Sequence, residues 1–357
     1  MKRGVKTLIL SGVSLCLAVV TMFVVSSPSR KISNDGFGEN IATVYYNQSV
    51  NDLLYSVTGT RSKYSLPYDI SAAPKAPDGN YSTAEEDGIE KQVYKDETLE
   101  AVCWKETLTT KVGGTNCKAE FTFADVKISD PSQFRCGWAG SNPNNPKRMP
   151  PTTIFNNCNG VVGMSADFFS YRRYGIIYQY GEEILNRKSY KDKSNDVLVV
   201  DYNGDFSIYD SVDLSKKIKN EGKSFTDTMM FSFTFGPGLV VNGENTHSEK
   251  FSTQVLGELT NVRTGKPHYQ ARACIGQIGT LHYLLCTVGE VGTDMSSLAD
   301  IMVEKGCVTA YNLDGGQSGT LLFKDNHYNT VAYNSESTEK YGERAQDRII
   351  YFGTAKQ

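Results

Sequence analysis

The sequence has no excess of basic residues. Its 37 lysines and arginines are outnumbered by 40 aspartates and glutamates, which gives a formal net charge of -3 and an isoelectric point near 5.9. A nucleic-acid-binding protein needs a surplus of lysine and arginine to neutralise phosphates. The composition therefore argues against this class of function, and we expect no nucleic acid among the partners.

Motifs for metal binding and redox chemistry are also missing. The chain has four histidines, and their spacing does not match that of metal ligands. No Cys-x-x-Cys pair occurs, so neither a zinc ribbon nor a thioredoxin-like redox site is expected. No loop has the ligand spacing of a calcium site, although the carboxylates described below could hold Ca²⁺. A divalent cation is left open as a cofactor.

The N-terminus is typical of an exported protein. Three basic residues within the first six precede an uncharged run over residues 8–27, which is about the 20 residues that a helix needs to cross a bilayer. Secretory signal cores are shorter, and Pro28 after the run disfavours cleavage. We predict a signal anchor over residues 8–27 in the cell membrane, with a cytoplasmic tip over residues 1–7. A cleaved signal peptide is the alternative, and either places the body outside the cytoplasm.

Export makes disulfide bonds the expected state of the cysteines, because extracytoplasmic compartments are oxidising. Cys103 and Cys117 bracket a predicted hairpin with its turn near Gly113-Gly114, so we predict them as the first pair. Cys136 with Cys158 is the second predicted pair. Three cysteines remain and leave one unpaired thiol, and the sequence does not choose among Cys274, Cys286 and Cys307.

Composition and local patterns predict a sheet-rich protein. The 21 tyrosines, 16 phenylalanines and 32 glycines favour strands joined by turns. Apolar residues alternate over residues 119–128 as in a half-buried strand, and Asn203-Gly204 predicts a hairpin turn because this pair accepts positive φ angles. A second hairpin is predicted over residues 271–288 around Gly279-Thr280. Apolar spacing predicts a helix over residues 296–305.

The order of these elements predicts an α+β fold with a single globular domain. Strands and helices do not alternate regularly, which argues against a doubly wound sheet. We place the domain over residues 95–357. Residues 28–94 contain scattered Ser, Asn, Asp, Gly and Pro and are predicted to be a stalk between the anchor and the domain.

A carboxylate and a glycine-rich loop follow a predicted buried strand in the C-terminal third. Glycines allow backbone N–H groups to point at one centre, which suits an anion such as phosphate. The segment is not a P-loop, since no Gly-Lys-Ser/Thr is present. An ordinary Asp-Gly-Gly turn is the alternative. The candidate residues of this loop are Asn312, Asp314, Gly315, Gly316, Gln317 and Ser318.

Two other features could contribute to a site. Asp167 and Phe168 follow a short apolar run, so a carboxylate and a ring suited to a sugar face could line a cleft. A strand end with core aromatic residues is the alternative. Arg272 lies among small and apolar residues and needs a partner if it is buried. It could bind a phosphate through two hydrogen bonds, or it could form a structural salt bridge.

In this order along the chain, the segments resemble the phosphodiester glycosidase family. The resemblance covers roughly residues 161–353, and its most specific part is residues 312–316 (Asn-Leu-Asp-Gly-Gly). Residues 343–352 are similar to the bacterial branch, whose members are labelled exopolysaccharide-biosynthesis proteins. Two positions depart from the family pattern: Ser165 stands where asparagine is usual, and Gln317 stands where glycine is usual. The change at Ser165 removes an amide suited to holding substrate.

The resemblance implies an extracytoplasmic hydrolase that cleaves the bond between a sugar and its esterified phosphate. Asp314 and Asp167 would be the catalytic carboxylates, one acting as base or nucleophile at the anomeric carbon and the other orienting water or a sugar hydroxyl. Arg272 would neutralise the phosphate, and Glu343 and Arg344 are further candidates for substrate binding. The loop N–H groups with the serine hydroxyl would complete the phosphate cradle.

A phosphorylated sugar or cell-surface polymer is the expected substrate, and the oligomeric state stays open. Other functions are compatible with the same residues. A non-catalytic module could bind phosphorylated wall polymers, an assembly factor could act in exopolysaccharide export, and a transferase could use a second sugar in place of water. A binding module would need the arginine and the glycine loop but not both carboxylates, so their presence favours an enzyme.

Overall fold

The computed structural model describes residues 61–63, 71–140, 142–143, 145, 147–167, 175–187, 196–246, 271–330 and 343–355. Within these ranges the chain is rich in strands and has few helices, which confirms the sheet-rich α+β fold predicted from the sequence. The strands are β1 (Tyr81–Glu86), β2 (Ile89–Lys95), β3 (Leu99–Val112), β4 (Thr115–Ile128), β5 (Phe134–Trp138), β6 (Val162–Ser165), β7 (Gly175–Gln179), β8 (Glu182–Arg187), β9 (Asp196–Asp201), β10 (Phe206–Asp210), β11 (Met229–Thr234), β12 (Gly238–Val241), β13 (Glu244–Asn245), β14 (Ala273–Gly279), β15 (His282–Val288), β16 (Thr309–Leu313), β17 (Leu321–Phe323), β18 (Asn326–His327) and β19 (Arg348–Phe352). The α-helices are α1 (Pro151–Asn157), α2 (Ser211–Glu221), α3 (Lys223–Thr226) and α4 (Met295–Glu304). Short 3₁₀ turns span Asp78–Asn80, Pro131–Gln133 and Gly316–Ser318.

The strands form three antiparallel sheets. The largest has the order β1-β2-β3-β4-β15-β14-β16-β12-β13. The second has the order β10-β9-β11-β7-β8, and the third has the order β18-β17-β6-β19-β5. Helix α4 packs against the large sheet, where Leu298 and Met302 join a buried cluster with Phe121 and Phe123.

Tight turns form the hairpins where the sequence predicts them. Strands β3 and β4 pair over fourteen residues each around Gly113 and Gly114, which both have positive φ angles. The carboxylate of Asp294 accepts hydrogen bonds from the N–H groups of these two glycines at 2.9 and 3.0 Å. The predicted hairpin over residues 271–288 is also present, as β14 and β15. Helix α4 agrees with the predicted helix to within one residue at each end.

The predicted stalk over residues 28–94 is wrong in its last part. Strands β1 and β2 lie within it and extend the large sheet, since β2 pairs with β3 through Val93 opposite Val102. The side chain of Tyr94 is fully buried. The exposed positions of β1 carry Ser, Thr, Ala and Glu, and those of β2 carry Glu and Lys. The composition of the two strands therefore resembles that of a linker although they belong to the sheet. Residues 28–60 and 64–70 lie outside the described residues.

The predicted disulfide between Cys103 and Cys117 is also wrong. Along the β3–β4 hairpin, Cys103 lies opposite Ala124 and Cys117 lies opposite Thr110, seven residue pairs away. At about 3.3 Å per residue this separation is roughly 23 Å, whereas a disulfide requires Cα atoms within about 7 Å. The hairpin turn places both cysteines on neighbouring strands but at different distances from the turn.

Cys136 and Cys158 lie in neighbouring segments, at β5 and at the end of α1. The Cys158 Sγ atom is 2.8 Å from the position that a Cβ atom on Gly137 would occupy. Burial raises the pKa of Cys136 to about 12 and that of Cys158 to about 11. Both are thiols in this structure, and their pairing stays a prediction.

The signal anchor predicted over residues 8–27 lies outside the described residues. Within the ranges that the structure describes, no helix is both long and apolar enough to cross a membrane. The extracytoplasmic location and the membrane attachment therefore stay predictions.

Phe134 joins the three sheets at the centre of the core. Its ring is fully buried and contacts the rings of residues from all three sheets, with centroids between 5.1 and 5.9 Å apart. Such ring pairs stabilise the fold by more than the burial of their apolar surface alone would. The contacted rings are those of Phe206, Phe231, Tyr283 and Phe352.

We expect Phe134→Ala to lower the free energy of unfolding by about 3–5 kcal/mol, because it leaves a cavity where three sheets meet. Phe134→Leu should cost less than half of that. Guanidinium chloride unfolding followed by tryptophan fluorescence measures both. Val291, which is 50% exposed, provides the control, since Val291→Ala should change stability by less than about 0.5 kcal/mol. Equal effects of Phe134→Ala and Val291→Ala would contradict a central role for this ring.

Candidate active site

The ends of β6 and β16, which belong to different sheets, meet at the loop that follows β16. The N–H of Asp314 donates to the carbonyl of Ala166 at 3.1 Å. The Ser165 N–H donates to the carbonyl of Thr320 at 3.1 Å, and the Ser165 hydroxyl donates to the carbonyl of Asp314 at 3.2 Å. Ser165 thus spans both ends of the loop, and the residue that departs from the family pattern holds the loop to β6.

The glycine-rich loop packs directly on the segment that carries Arg272. A Cβ atom on Gly315 would lie 3.1 Å from the Cα of Arg272 and would overlap the carbonyl oxygen of Ala271. Gly316 has a φ of 61°, and its N–H donates to the same carbonyl at 2.7 Å. Only glycine at position 315 allows this close approach.

Arg272 and Asp314 are brought together by strand pairing. Ala273 lies opposite Leu313 in the β14–β16 pair, and continuing this register by one residue brings Arg272 opposite Asp314. Opposed side chains of an antiparallel pair project from the same face. Arg272 is 7% exposed, while Asp314 is half-buried. Two residues predicted from separate motifs are therefore placed at adjoining strand ends.

Asn312 connects this loop to a turn between β11 and β12. Its side-chain amide donates to the carbonyl of Gly236 at 2.7 Å, and its backbone N–H donates to the carbonyl of Pro237 at 3.1 Å. The Gly236 N–H in turn donates to the carbonyl of Asn312 at 3.2 Å, and the Gly236-Pro237 peptide bond is cis. Asn312 thus holds the strand that leads into Asp314.

Four buried side-chain oxygens around the loop have no hydrogen-bond partner among the described residues. They are Asn312 Oδ1, Ser318 Oγ, Thr320 Oγ1 and Gln346 Oε1, on side chains at most 1% exposed. The amide of Gln346 donates to the carbonyl of Ser318 at 2.7 Å and so joins the segment before β19 to the loop. Buried polar atoms are normally paired, so their concentration here indicates a site for a polar ligand or bound water.

The backbone cradle predicted for residues 315–318 is not arranged as expected. The Gly316 N–H donates to Ala271, and the Ser318 N–H donates to the carbonyl of Gly315 at 3.1 Å. A 3₁₀ turn over Gly316–Ser318 uses its own N–H groups in this way. Gln317 is buried. Among the described residues, the hydroxyls of Ser318 and Thr320 are buried groups near the loop that can donate a hydrogen bond and have no partner.

Asp167 is buried in an ion pair. Arg348 donates to its carboxylate through Nε at 2.8 Å and through Nη2 at 2.6 Å, and both side chains have no solvent exposure. The N–H of Thr234 donates to the same carboxylate at 2.8 Å. Arg348 also donates to the carbonyl of Ser232 at 3.0 Å, and its guanidinium lies 4.6 Å from the ring centroid of Phe233.

Burial is the largest single influence on the pKa of the Arg348 guanidinium and lowers it, but the charge and hydrogen bonds of Asp167 together with the other nearby acidic groups raise this pKa above its ordinary value. The Arg348 guanidinium therefore stays protonated beside Asp167. Asp167 is one residue from Ala166, which binds Asp314, so the ion pair fixes the strand end on which the candidate site is built.

Glu343 and Arg344 take different positions at the edge of the site. The Glu343 carboxylate is fully buried, accepts hydrogen bonds from the Thr152 hydroxyl at 2.7 Å and the Thr152 N–H at 3.2 Å, and lies 3.0 Å from His327 Nε2. It thereby holds the first turn of α1. Arg344 is exposed, and its N–H donates to the carbonyl of Gln317 at 3.4 Å. Substrate binding by either residue stays a prediction.

Phe168 lies outside the described residues. Within the described ranges, no three His, Cys, Asp or Glu side chains are grouped so that they could hold a metal ion.

Sequence reasoning missed three residues of this region: Thr320, Gln346 and Arg348. Arg348 begins an otherwise apolar strand, Arg-Ile-Ile-Tyr-Phe, and a charge in such a strand needs a buried partner. That signal could have identified Arg348 but not its partner, because Asp167 lies far away in the sequence.

Replacing Arg348 alone should lower the free energy of unfolding more than replacing both Arg348 and Asp167. We expect Arg348→Met to destabilise the fold by about 3–5 kcal/mol, since it leaves the Asp167 charge buried without its partner. The double variant Asp167→Leu with Arg348→Met should recover part of that loss. Denaturant unfolding of both single variants and the double variant gives the coupling energy. Additive losses would show that the two side chains do not stabilise each other.

Comparisons with known proteins show which family and which solved structures the chain is similar to. The sequence model of the phosphodiester glycosidase family matches residues 157–352. The catalytic domain of zebrafish N-acetylglucosamine-1-phosphodiester α-N-acetylglucosaminidase, solved in a form auto-inhibited by its pro-peptide, is similar with a TM-score of 0.56 and 15% identity, over 81% of this chain and 97% of that chain. Two further solved structures are similar to this chain. A protein from Synechocystis has a TM-score of 0.41 and 11% identity, over 85% of this chain and 84% of that chain. A protein from Burkholderia pseudomallei has a TM-score of 0.44 and 10% identity, over 80% of this chain and 98% of that chain.

No curated protein matches the sequence. At 15% identity the zebrafish structure shows a shared fold and no more. The family match is the stronger finding, since it spans more than half of the chain and includes β6, β14, β16 and β19. The chain belongs to the phosphodiester glycosidase family.

Proposed function

We propose that the protein is a hydrolase that cleaves a sugar-1-phosphodiester between the anomeric carbon and the phosphate oxygen. We further propose that it acts outside the cytoplasm on a phosphorylated cell-surface polysaccharide. The observation that carries the proposal is the placement of Arg272 and Asp314 at adjoining strand ends, beside a loop whose buried oxygens have no partner among the described residues. Family membership and the likeness to the zebrafish glycosidase support it.

Asp314 is the carboxylate that a substrate can reach. It is half-buried, whereas Asp167 has no exposed surface and its two oxygens accept hydrogen bonds from Arg348 and Thr234. We therefore assign the reaction at the anomeric carbon to Asp314 and a positioning role to Asp167. This division differs from the sequence-based hypothesis, in which both carboxylates meet the substrate.

In the hydrolysis that we propose, a water oxygen bonds to the anomeric carbon while the carbon–oxygen bond to the phosphate breaks. The phosphate leaves with the electron pair as a monoester anion. Asp314 either takes the proton of the water or attacks the carbon first and is released by water in a second step. A phosphate monoester is a good leaving group, so no strong general acid is needed.

The leaving phosphate gains negative charge as the bond breaks, and this charge must be stabilised. Arg272 supplies a permanent positive charge with donors in a planar fork, which suits phosphate oxygens. The Ser318 and Thr320 hydroxyls are buried donors without partners among the described residues. Groups held in place before the reaction stabilise such charge without having to reorganise.

Replacing Asp314 should abolish catalysis without unfolding the protein. The full chain is incubated with UDP-N-acetylglucosamine and a panel of sugar-1-phosphodiesters, and free sugar is measured with and without EDTA. We expect Asp314→Asn to reduce sugar release by about 10²–10⁴-fold with an unchanged melting temperature. The matched control is Asp213→Asn, at an aspartate whose side chain is 70% exposed on α2, which should retain full activity.

Full activity of Asp314→Asn would refute the catalytic assignment. Absence of sugar release from every substrate by the folded wild-type chain would instead favour a binding or assembly role. Loss of activity in EDTA would identify a requirement for a divalent cation such as Ca²⁺.

Replacing Arg272 should affect charged substrates selectively. Arg272→Met removes the fixed charge beside the phosphate, so we expect about 10²–10³-fold loss on a sugar-1-phosphodiester. An uncharged aryl glycoside of the same sugar should lose much less. Arg272→Lys, which keeps the charge but not the planar fork, should be intermediate. Equal losses on both substrates would indicate a structural role for Arg272.

A further inference from the structure

Two of the cysteines that the sequence leaves unassigned face each other across a hairpin. Cys274 in β14 lies directly opposite Cys286 in β15. The N–H of Val288 donates to the carbonyl of Arg272 at 2.8 Å, and hydrogen-bonded pairs recur at every second residue, so the two cysteines also form such a pair. Their Cα atoms are then about 5.5 Å apart, in the middle of the range of about 4.4–6.8 Å found in disulfides.

The third cysteine lies close by but outside this pairing. Cys307 follows α4, and its Sγ atom occupies the space that a Cβ atom on Gly276 would fill. All three cysteines are buried on the face of the sheet that α4 covers. The Cys307 side chain contacts Gly276 and also lies near Cys286. It is not part of the strand pairing, however, and the register places only Cys274 and Cys286 directly opposite each other.

We propose that Cys274 and Cys286 form a cross-strand disulfide when the chain folds under oxidising conditions, and that Cys307 stays a thiol. The two thiols lose two protons and two electrons to a disulfide oxidant such as glutathione disulfide, which is reduced to two thiols. One thiolate attacks the oxidant to give a mixed disulfide, and the second thiolate attacks the protein sulfur and releases the reduced half.

The bond forms before the core closes. Both cysteines have no solvent exposure, and burial raises the pKa of Cys274 well above its ordinary value. A buried thiol is neither ionised nor accessible to an oxidant. The exchange therefore takes place while the hairpin is paired but α4 has not yet covered it.

The position of the bond gives it a role beside the candidate active site. Cys274 lies opposite Asn312 in the neighbouring strand β16 and two residues beyond Arg272. The disulfide would fix β14 against β15 at the position where Cys286, Cys274 and Asn312 lie opposite one another on three neighbouring strands. It would thereby restrict movement of the Arg272 end of the hairpin. The bond itself does not depend on the proposed function.

The test identifies which cysteines are free thiols and which are joined in a disulfide. The full chain is exported in a bacterial host and purified in detergent without reductant; a second sample is reduced, unfolded and refolded with oxidised and reduced glutathione. Both are denatured in N-ethylmaleimide, digested and analysed by mass spectrometry. We expect a cross-linked peptide joining Cys274 to Cys286 that disappears on reduction, with Cys307 labelled. Labelled Cys274 and Cys286 in both samples, or a bond from either to Cys307, would overturn the proposal.

Two matched variants distinguish the effect of losing the disulfide from the effect of losing a buried cysteine side chain. Cys286→Ala should remove the cross-link and lower Tm by about 5–10 °C, as the loss of a short-loop disulfide would. Cys307→Ala removes an equally buried cysteine and should keep the cross-link. Reductant should lower the Tm of Cys307→Ala more than that of Cys286→Ala, since only the former keeps the Cys274–Cys286 bond. A cross-link lost in Cys307→Ala, or equal responses of the two variants to reductant, would contradict the pairing.

Discussion

The Asp167 and Arg348 side chains are both fully buried. The packing of the surrounding strands therefore depends on the two charges forming an ion pair. Transferring such charges into a protein costs several kcal/mol for each ion, so the pair persists only with good geometry and further hydrogen bonds. Two parallel hydrogen bonds between the side chains provide that geometry. The N–H of Thr234 and the carbonyl of Ser232 in β11 provide the additional bonds. The pair therefore links β6, β19 and β11, which belong to two sheets.

From this link the candidate site extends into the large sheet. Ala166, next to Asp167, accepts the N–H of Asp314, and Gly315 lies against the backbone of Arg272. The residues that would touch a substrate are thus held at strand ends by backbone hydrogen bonds and close packing. Such support keeps reactive groups in position better than a free loop would. The absence of a side chain at position 315 is as necessary to this arrangement as the charges are.

Local patterns predicted local structure well. The turn at Asn203-Gly204, the hairpin of β14 and β15, and helix α4 each depend on residues close together in the sequence. The order of the glycine loop and Arg272 along the chain also predicted residues that the fold brings together. What could not be predicted depends on contacts between distant segments. No local pattern shows that Asp167 meets Arg348, that β2 joins β3 across a linker-like composition, or how far from the turn each cysteine of the β3–β4 hairpin lies.

The order of strands in the large sheet has a consequence for how the chain is made. The β3–β4 hairpin can form soon after its residues are synthesised, but β4 pairs on its other side with β15, for example through Phe123 opposite Cys286. Until the ribosome has added the intervening residues, β4 presents an open edge fourteen residues long beside the unburied rings of Phe121 and Phe123. Open edges of this kind pair readily with other chains. A chaperone that binds extended apolar segments would find its binding site on nascent β4 and would be displaced when β15 arrives.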